Sequence, residues 1–241
     1  MLLVTNDDGV HAPGIRALSK ALATIGEVHI VAPEREVSAC GHSLSLRHPL
    51  RTTLLEPRVH SVDGTPADCV GMALSILPRR PDLVLSGINL GANLADDIFY
   101  SGTIGGAREA TFFGLPAIAV SLAARTPEFG AAADFAAKLA RIVLDQGLPA
   151  RTLVNVNVPP GTPSRAVFTS QGRHERALPI QPALAASPSI TSQWAGDDSQ
   201  QRLRDEMSDV HAVRAGMISI TPLHTDTTHH RTLKQFRSWT V

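Results

Sequence analysis

The first nine residues of the chain place a short apolar run directly before an acidic turn. Residues 2–4 are apolar without alternation, which is typical of a strand buried on both faces of a parallel sheet. Asn6, Asp7, Asp8 and Gly9 follow closely. Neighbouring side chains of a continuing strand point to opposite faces, so both carboxylates can serve one site only if the chain turns at Asn6. Gly9 favours such a turn because it tolerates positive φ.

A helix is predicted to follow over residues 13–22, where apolar residues recur at helical spacing. Because ligands of open α/β sheets bind at the carboxyl ends of strands, this unit would place Asp7 and Asp8 at a ligand site. Adjacent carboxylates repel each other unless a cation lies between them, and Mg²⁺, Mn²⁺ and Ca²⁺ prefer oxygen ligands of this kind. The alternative is that Asn6, Asp7 or Asp8 only forms an Asx turn or caps the helix.

Composition and charge limit the classes of protein to which the chain can belong. Its 241 residues, 43% of them hydrophobic, suffice for one large α/β domain. Lys plus Arg and Asp plus Glu both number 22, so no basic face for nucleic acid is expected. Cys40 and Cys69 lack the spacing of a metal motif and are interpreted as free thiols. Neither a signal-peptide pattern nor an apolar run of membrane-spanning length is present, so we expect a cytoplasmic protein without a membrane partner.

Strand and helix patterns alternate along most of the chain. Further strands are predicted at residues 27–32, 58–62, 82–87, 116–121, 152–158 and 216–222, and further helices at residues 65–77, 104–111, 131–144 and 228–239. This alternation is typical of a doubly wound, mostly parallel α/β sheet with helices on both faces. Residues 168–210 are rich in Pro, Ser and Gln and lack a helical period. They are predicted to form an arm outside the main sheet, with local disorder as the alternative.

Two more loops carry polar residues at the ends of predicted strands. Ser38 lies in the loop after the second strand, which would bring it near the two aspartates; an ordinary surface loop is the alternative. Asn89 lies in a glycine-bearing loop that leaves the strand at residues 82–87. We therefore expect both loops to lie beside the acidic turn.

The helix predicted at residues 104–111 is preceded by Ser101, Gly102 and Thr103. Free backbone N–H groups at a helix start, together with hydroxyl groups and the positive end of the helix dipole, suit a phosphate group. The alternative is that Ser101 or Thr103 is simply the helix N-cap. Capping and phosphate binding are compatible with each other.

Taken in this order and at these separations, the motifs resemble those of the SurE family of survival phosphatases, which are known as 5′-nucleotidases. The matching stretches are Thr5-Asn6-Asp7-Asp8-Gly9, Val31-Ala32-Pro33, Ser38 with Gly41-His42-Ser43-Leu44, Gly64-Thr65-Pro66-Ala67-Asp68-Cys69-Val70, and Ser219-Ile220-Thr221-Pro222-Leu223 followed by Asp226 and Thr228. They cover nearly the whole chain. Ala92 and Ala95 depart from the family pattern, which commonly has proline and glycine in the loop of Asn89, so the stiffness of that loop differs.

The resemblance implies a metal site, a phosphate site and an oligomer. One divalent cation per subunit, Mg²⁺ or Mn²⁺, would be bound by Asp7, Asp8, Ser38 and Asn89. Phosphate would be bound by Asn93, Ser101, Gly102 and Thr103. The fold would be a Rossmann-like core at about residues 1–160 and 211–224, with a β-rich arm at about 161–210 and a C-terminal segment at about 225–241. The arm and the segment would be exchanged between subunits of a dimer or tetramer.

The implied reaction is hydrolysis of nucleoside 5′-monophosphates by metal-activated water, with 3′-monophosphates and short polyphosphate as further candidate substrates. Asp7 or Asp8 is the candidate general base. His42 is the candidate for protonating the departing ribose oxygen, and the alternative is a loop histidine bonded to the backbone. Two other functions stay open, namely a phosphatase with Asp7 as covalent nucleophile and a non-enzymatic nucleotide sensor.

Overall fold

The computed structural model describes residues 1–173, 180–183, 191–194 and 207–239. The strands are β1 Leu2–Thr5, β2 Val28–Pro33, β3 Thr52–Glu56, β4 Val59–Val62, β5 Leu83–Leu90, β6 Ala117–Leu122, β7 Thr152–Val158, β8 Ala166–Phe168, β9 Ile180–Ala183, β10 Thr191–Trp194 and β11 Ile218–His224. The helices are α1 Pro13–Leu22, α2 Pro66–Ile76, α3 Gly102–Phe112, α4 Gly130–Gln146, α5 Asp209–Arg214 and α6 His230–Phe236, with a 3₁₀ helix at Ala95–Phe99.

Nine of the described strands form one sheet in the order β3-β4-β2-β1-β5-β6-β7-β11-β8. The six strands from β4 to β7 in this order are parallel, whereas β3 and β11 run antiparallel to β4 and β7. The chain continues from β1 to β2 on one side and later adds β5 on the other. The order therefore reverses between β1 and β5, where ligands of Rossmann-like sheets bind. The predicted doubly wound α/β fold is confirmed.

The core consists of two layers that cover the two faces of this sheet. Leu2 and Val4 of β1 pack in the layer that contains residues of α1 and α4. Leu3, between them, packs in the layer that contains residues of α2 and α3. Alternate side chains of a strand point to opposite faces, so an uninterrupted apolar run is what a strand covered on both sides requires.

Outside the predicted arm, two strands differ from the sequence prediction. β5 continues past the predicted end at residue 87 to Leu90, because its pairing with β6 resumes after an irregularity between Gly87 and Asn89. β3 was not predicted, because its only apolar residues are the adjacent pair Leu54 and Leu55, which gives neither an alternating pattern nor a longer apolar run, and all five residues are exposed. It pairs with β4 at the edge of the sheet.

The predicted arm at residues 161–210 differs partly from the observed structure. β8 lies inside this range but joins the main sheet, where Ala166 pairs with Ile218 of β11. Asp209 and Val210 lie in α5 and are buried. β9 and β10 form a separate antiparallel pair. Residues 174–179, 184–190 and 195–206 of the predicted arm lie outside the described residues, and so does the alternative of local disorder there.

The end of the chain leaves the sheet after β11. The helix predicted at residues 228–239 forms over His230–Phe236, and none of its residues is buried. Among the described helices, none has both the length and the apolar character that a membrane crossing requires.

Candidate active site

The acidic turn follows β1 at the point where the sheet order reverses. Thr5, the last residue of β1, pairs with Ser86 of β5. The Asn6 side chain closes the turn by donating from Nδ2 to the Gly9 carbonyl oxygen at 2.9 Å. The N-cap of α1 is Ala12, and no side chain caps that helix. The capping alternative for Asp7 and Asp8 is therefore wrong.

Asp7 lies at the amino-terminal end of α3 and is 5% exposed. The Thr103 hydroxyl donates to Asp7 Oδ1 at 2.5 Å. Burial raises the pKa of Asp7, while hydrogen bonds from Thr103 and from the backbone of Gly102 and Thr103 lower it, and the pKa remains above its ordinary value. The start of α3 thus compensates part of the cost of burying this carboxylate.

Asp8 is less buried and has fewer donors. Burial and the negative charges of Asp7 and Glu36 raise its pKa, a backbone hydrogen bond from Leu90 lowers it, and the net result is a pKa of about 6. No Lys, Arg or His of the described residues is among the groups that shift either pKa. The two carboxylates therefore share a partly buried place without a protein cation beside them, an arrangement that favours a bound cation.

The loop after β2 reaches the same place. The Val37 N–H donates to the Asp7 carbonyl oxygen at 2.8 Å, so Ser38 follows directly after a residue in contact with the acidic turn. The Ser38 hydroxyl donates to Glu36 Oε1 at 2.6 Å, which leaves its oxygen lone pairs as acceptors. The structure thus brings the Ser38 loop beside the aspartates, as the strand order predicts.

Asn89 lies at the end of β5, next to the Leu90 backbone that bonds Asp8. Its Nδ2 donates to the Gly91 carbonyl oxygen at 2.9 Å, so its amide oxygen is the remaining ligand atom. Two carboxylates, one hydroxyl and one amide oxygen are donors that Mg²⁺ and Mn²⁺ prefer. No group of three or more His, Cys, Asp or Glu side chains suited to a metal occurs in the described part of the chain. The candidate set differs from such groups because two of its four members, Ser38 and Asn89, are neutral oxygen donors.

In this structure, side chains that are predicted to bind phosphate form hydrogen bonds with other protein atoms. Ser101 Oγ accepts from the Ile104 N–H at 3.1 Å and caps α3, as the capping alternative predicts. A Cβ at Gly102 would lie 2.9 Å from Asp7 Oδ2, so glycine allows the helix start to approach the carboxylate. Asn93 is buried and its Nδ2 donates to Ser121 Oγ on β6 at 2.8 Å.

Comparison with known proteins shows the family to which the chain belongs. The sequence model of the family described as survival protein SurE matches residues 2–177. The chain belongs to the SurE family. Proteins named 5′-nucleotidase SurE from Geobacter metallireducens and Geobacter sulfurreducens are 48% and 49% identical to it, over 99% of this chain and 96% and 93% of their own lengths.

A solved SurE structure shares the fold. The crystal structure of the SurE protein from Aquifex aeolicus matches this chain with a TM-score of 0.85 at 36% sequence identity, and the match covers 98% of both chains. This match extends beyond residues 2–177, which the family sequence model matches.

His42 of this SurE chain contacts a residue that the sequence did not indicate. Its Nε2 lies 2.6 Å from Glu109 Oε2, and its ring centroid lies 5.3 Å from that of Phe112. The observed Nε2 partner is a carboxylate and not the backbone. Glu109 is 67 residues away in sequence and lies within a helix of small residues, so no local pattern indicates it.

Cys40 is a second neighbour of the SurE site that the sequence did not indicate. A Cβ at Gly102 would lie 2.6 Å from its Sγ. Burial and, to a smaller extent, the charge of Asp7 raise the pKa of the thiol to about 11. Cys40 therefore stays a neutral thiol at neutral pH and does not add an anionic ligand to the two aspartates.

Proposed function

We propose that this SurE-family protein hydrolyses nucleoside 5′-monophosphates to nucleoside and phosphate with the help of a divalent cation. The reaction class, 5′-nucleotidase, is that of relatives which share almost half of their residues with the whole chain. The observation that supports the cation is the pair of partly buried carboxylates, both with raised pKa and without a protein cation among the groups that shift them. Nucleoside 3′-monophosphates and short polyphosphate are further candidate substrates.

The cation would be held by Asp7, Asp8, Ser38 and Asn89. When bound, Mg²⁺ or Mn²⁺ supplies a Lewis acid for a phosphoryl oxygen and lowers the pKa of a bound water molecule. Asp7 already accepts a hydrogen bond from the Thr103 hydroxyl, so its proposed role is to hold the cation in position. Asp8, which is more accessible, is the carboxylate that we assign as the acceptor of the water proton.

The start of α3 would stabilise the phosphoryl group. Its positive dipole end faces the site through Gly102 and Thr103, and negative charge that develops on phosphoryl oxygens is stabilised at such an end. Ser101 caps the helix and keeps its first turn in place. Asn93 fixes the preceding loop to the sheet through Ser121, so its proposed role at phosphate is to orient that loop.

His42 is proposed to protonate the departing ribose oxygen. Because Nε2 bonds Glu109, Nδ1 is the nitrogen left to give the proton. A covalent reaction at Asp7 is less well supported, since its carboxylate is 5% exposed and its Oδ1 accepts from Thr103. A nucleotide sensor would not need the open metal positions that the proposed donor set leaves.

The test is phosphate release from a panel of nucleoside monophosphates by protein treated with EDTA, with Mg²⁺ or Mn²⁺ added back. Wild type should release phosphate only with metal, and Asp8→Asn should lose at least about 100-fold in rate. Asp134→Asn, at an exposed acid on α4, is the control and should match wild type. Folded wild type that binds nucleotide and releases none would favour the sensor. An acid-stable phosphoenzyme would favour the covalent reaction.

An oligomer is part of the proposal. The absence of buried residues in α6 supports a dimer or tetramer in which the C-terminal segment at about 225–241, with the part of the arm that lies outside the main sheet, packs on another subunit. This arrangement would also allow an arm to complete the pocket of a neighbouring subunit.

A further inference from the structure

We propose that Glu109 is a positioning residue that holds the loop of residues 38–43, the Ser38 loop, against α3 and thereby sets how tightly the site binds its cation. The inference rests on the proposed metal site and names a residue that supports it. Glu109 itself is not proposed as a ligand. It acts on Ser38 through His42.

The Ser38 loop runs along one face of α3. Gly102, Gly105 and Glu109 are spaced i, i+3 and i+7 and therefore lie on the same face of the helix. A Cβ at Gly102 would lie 2.6 Å from Cys40 Sγ, and a Cβ at Gly105 would lie 2.2 Å from the Gly41 carbonyl oxygen. The loop thus rests directly on the helix, through the Cys40 side chain at Gly102 and through its backbone at Gly105.

Glycines let the loop approach but provide no side chain that can hold it. The first polar attachment on this side is the Gly41 N–H, which donates to the Tyr100 carbonyl oxygen at 2.8 Å. The second is the contact of His42 Nε2 with Glu109 Oε2 at 2.6 Å. On the other side of Ser38, the Val37 N–H donates to the Asp7 carbonyl oxygen.

Ser38 therefore lies between two anchored ends of its loop. Its own hydroxyl bonds Glu36 in the same exposed segment, which does not connect it to the rest of the fold. Loss of the His42 contact would leave the Gly41 backbone bond as the attachment nearest Ser38 on this side. The next attachments lie further along the chain, at the Ser43 carbonyl oxygen, which accepts from the Thr65 hydroxyl, and at the Ser45 N–H, which donates to Asp68. The position of the Ser38 hydroxyl relative to Asp7 and Asp8 would then vary, and metal affinity depends on such ligand orientation.

The contact is well placed to be strong. The His42 and Glu109 side chains are 19% and 11% exposed, so water competes little for either group. A hydrogen bond to a carboxylate is stronger than one between neutral groups. Phe112, one turn along α3, packs beside the imidazole ring and limits its movement.

The test measures Mn²⁺ binding to EDTA-treated protein without substrate, from the electron paramagnetic resonance signal of free Mn²⁺. Glu109→Ala should weaken binding about tenfold or more. Glu109→Gln keeps an oxygen acceptor for the His42 N–H and should bind within about twofold of wild type. Thr111→Val is the matched control, because Thr111 lies on the same helix and its hydroxyl bonds the Arg108 carbonyl oxygen, away from the loop.

Each outcome decides the inference. Folded Glu109→Ala that binds Mn²⁺ like wild type overturns it, and so does Glu109→Gln that binds as weakly as Glu109→Ala. Equal weakening by Thr111→Val would also overturn it, because a general loss of stability would then explain the effect. If Glu109→Ala does not fold, His42→Ala removes the same contact from the loop side and should weaken binding to the same extent. Wild type that binds no Mn²⁺ would instead contradict the proposed metal site.

Discussion

Asp7 and Asp8 are adjacent in sequence but have different surroundings. Asp7 is buried at the start of α3 and receives hydrogen bonds from Thr103 and Gly102. Asp8 has a backbone hydrogen bond from Leu90 and the unfavourable charge of its neighbour. The repulsion between two such carboxylates lowers the free energy of unfolding of the metal-free protein. A cation bound between them would raise that free energy again.

The raised pKa of Asp8 predicts how the metal-free protein responds to pH. Its value rises from 3.8 to about 6 on folding, so the folded state binds this proton more tightly than the unfolded chain. The resulting stabilisation is complete below about pH 3.8 and is lost as the pH rises through about 6. Asn in place of Asp8 does not titrate. The Tm of Asp8→Asn in EDTA should therefore increase relative to wild type as the pH rises from about 3.8 to about 6.

Thermal unfolding in EDTA across this pH range checks the prediction, with Asp134→Asn as the control for the loss of an exposed acid. A Tm difference between Asp8→Asn and wild type that is constant with pH would contradict it. Added Mn²⁺ should raise the Tm of wild type more than that of Asp8→Asn, because only the wild type keeps both carboxylates of the proposed site.

At the scale of elements, α3 connects the acidic turn with the Ser38 loop. Glycine is an unfavourable residue within a helix, costing about 1 kcal/mol relative to alanine, yet α3 contains Gly105 and Gly106 after Gly102. Contacts on the helix explain two of these positions. Gly102 lies against Asp7 and Gly105 lies against the Gly41 carbonyl oxygen.

Alanine substitutions at two helical glycines should therefore have opposite effects. A Cβ at Gly105 would lie 2.2 Å from the Gly41 carbonyl oxygen, so Gly105→Ala should lower the free energy of unfolding by about 1–3 kcal/mol and weaken Mn²⁺ binding. A Cβ at Gly71 in α2 would meet nothing within 4 Å, so Gly71→Ala should raise the free energy of unfolding by up to about 1 kcal/mol. Urea unfolding measures both. Equal effects of the two substitutions would show that the contact with Gly41 does not constrain the helix.

At the scale of the whole molecule, the two ends of the arm meet beside the main sheet. The Ser170 N–H donates to the Met207 carbonyl oxygen at 3.0 Å. The buried Asp209 carboxylate accepts from the Gly172 N–H at 2.8 Å and the Ala95 N–H at 3.0 Å. Asp209 thus connects the arm to the segment that begins at Ala95 and leads to Ser101. A movement of the arm could therefore reach the site through this segment.

The C-terminal helix carries the prediction at this scale. Leu233, Phe236 and Trp239 are 40%, 46% and 63% exposed, and the rings of Phe236 and Trp239 pack on each other at 4.1 Å. If α6 packs on another subunit, Phe236→Asp should shift the mass in light scattering from dimer or tetramer towards monomer. Gln235→Asp adds the same charge at an exposed polar position of α6 and should keep the wild-type mass. A wild-type monomer, or an unchanged mass of Phe236→Asp, would contradict the exchanged helix.

Local sequence determined the features that depend on neighbouring residues. The apolar run of β1 correctly predicted a strand that is buried on both faces. The predicted start of α2 forms a capping box between Thr65 and Asp68. The order of strands and helices was enough to indicate the doubly wound sheet, because the connections of parallel strands follow few rules. The same order placed the Ser38 loop and the Asn89 loop near the aspartates.

Tertiary structure alone decided contacts between residues that are distant in sequence. β3 has no buried residue, and what makes it a strand is its pairing with β4 at the edge of the sheet. Thr103 could be assigned to phosphate or to capping from sequence, whereas the fold brings its hydroxyl to Asp7, 96 residues away. Glu109 became the partner of His42 in the same way. Periodicity and capping patterns report the local environment of each residue. Contacts between side chains that are distant in sequence depend on how the helices and strands pack, and the chemistry of the site depends on those contacts.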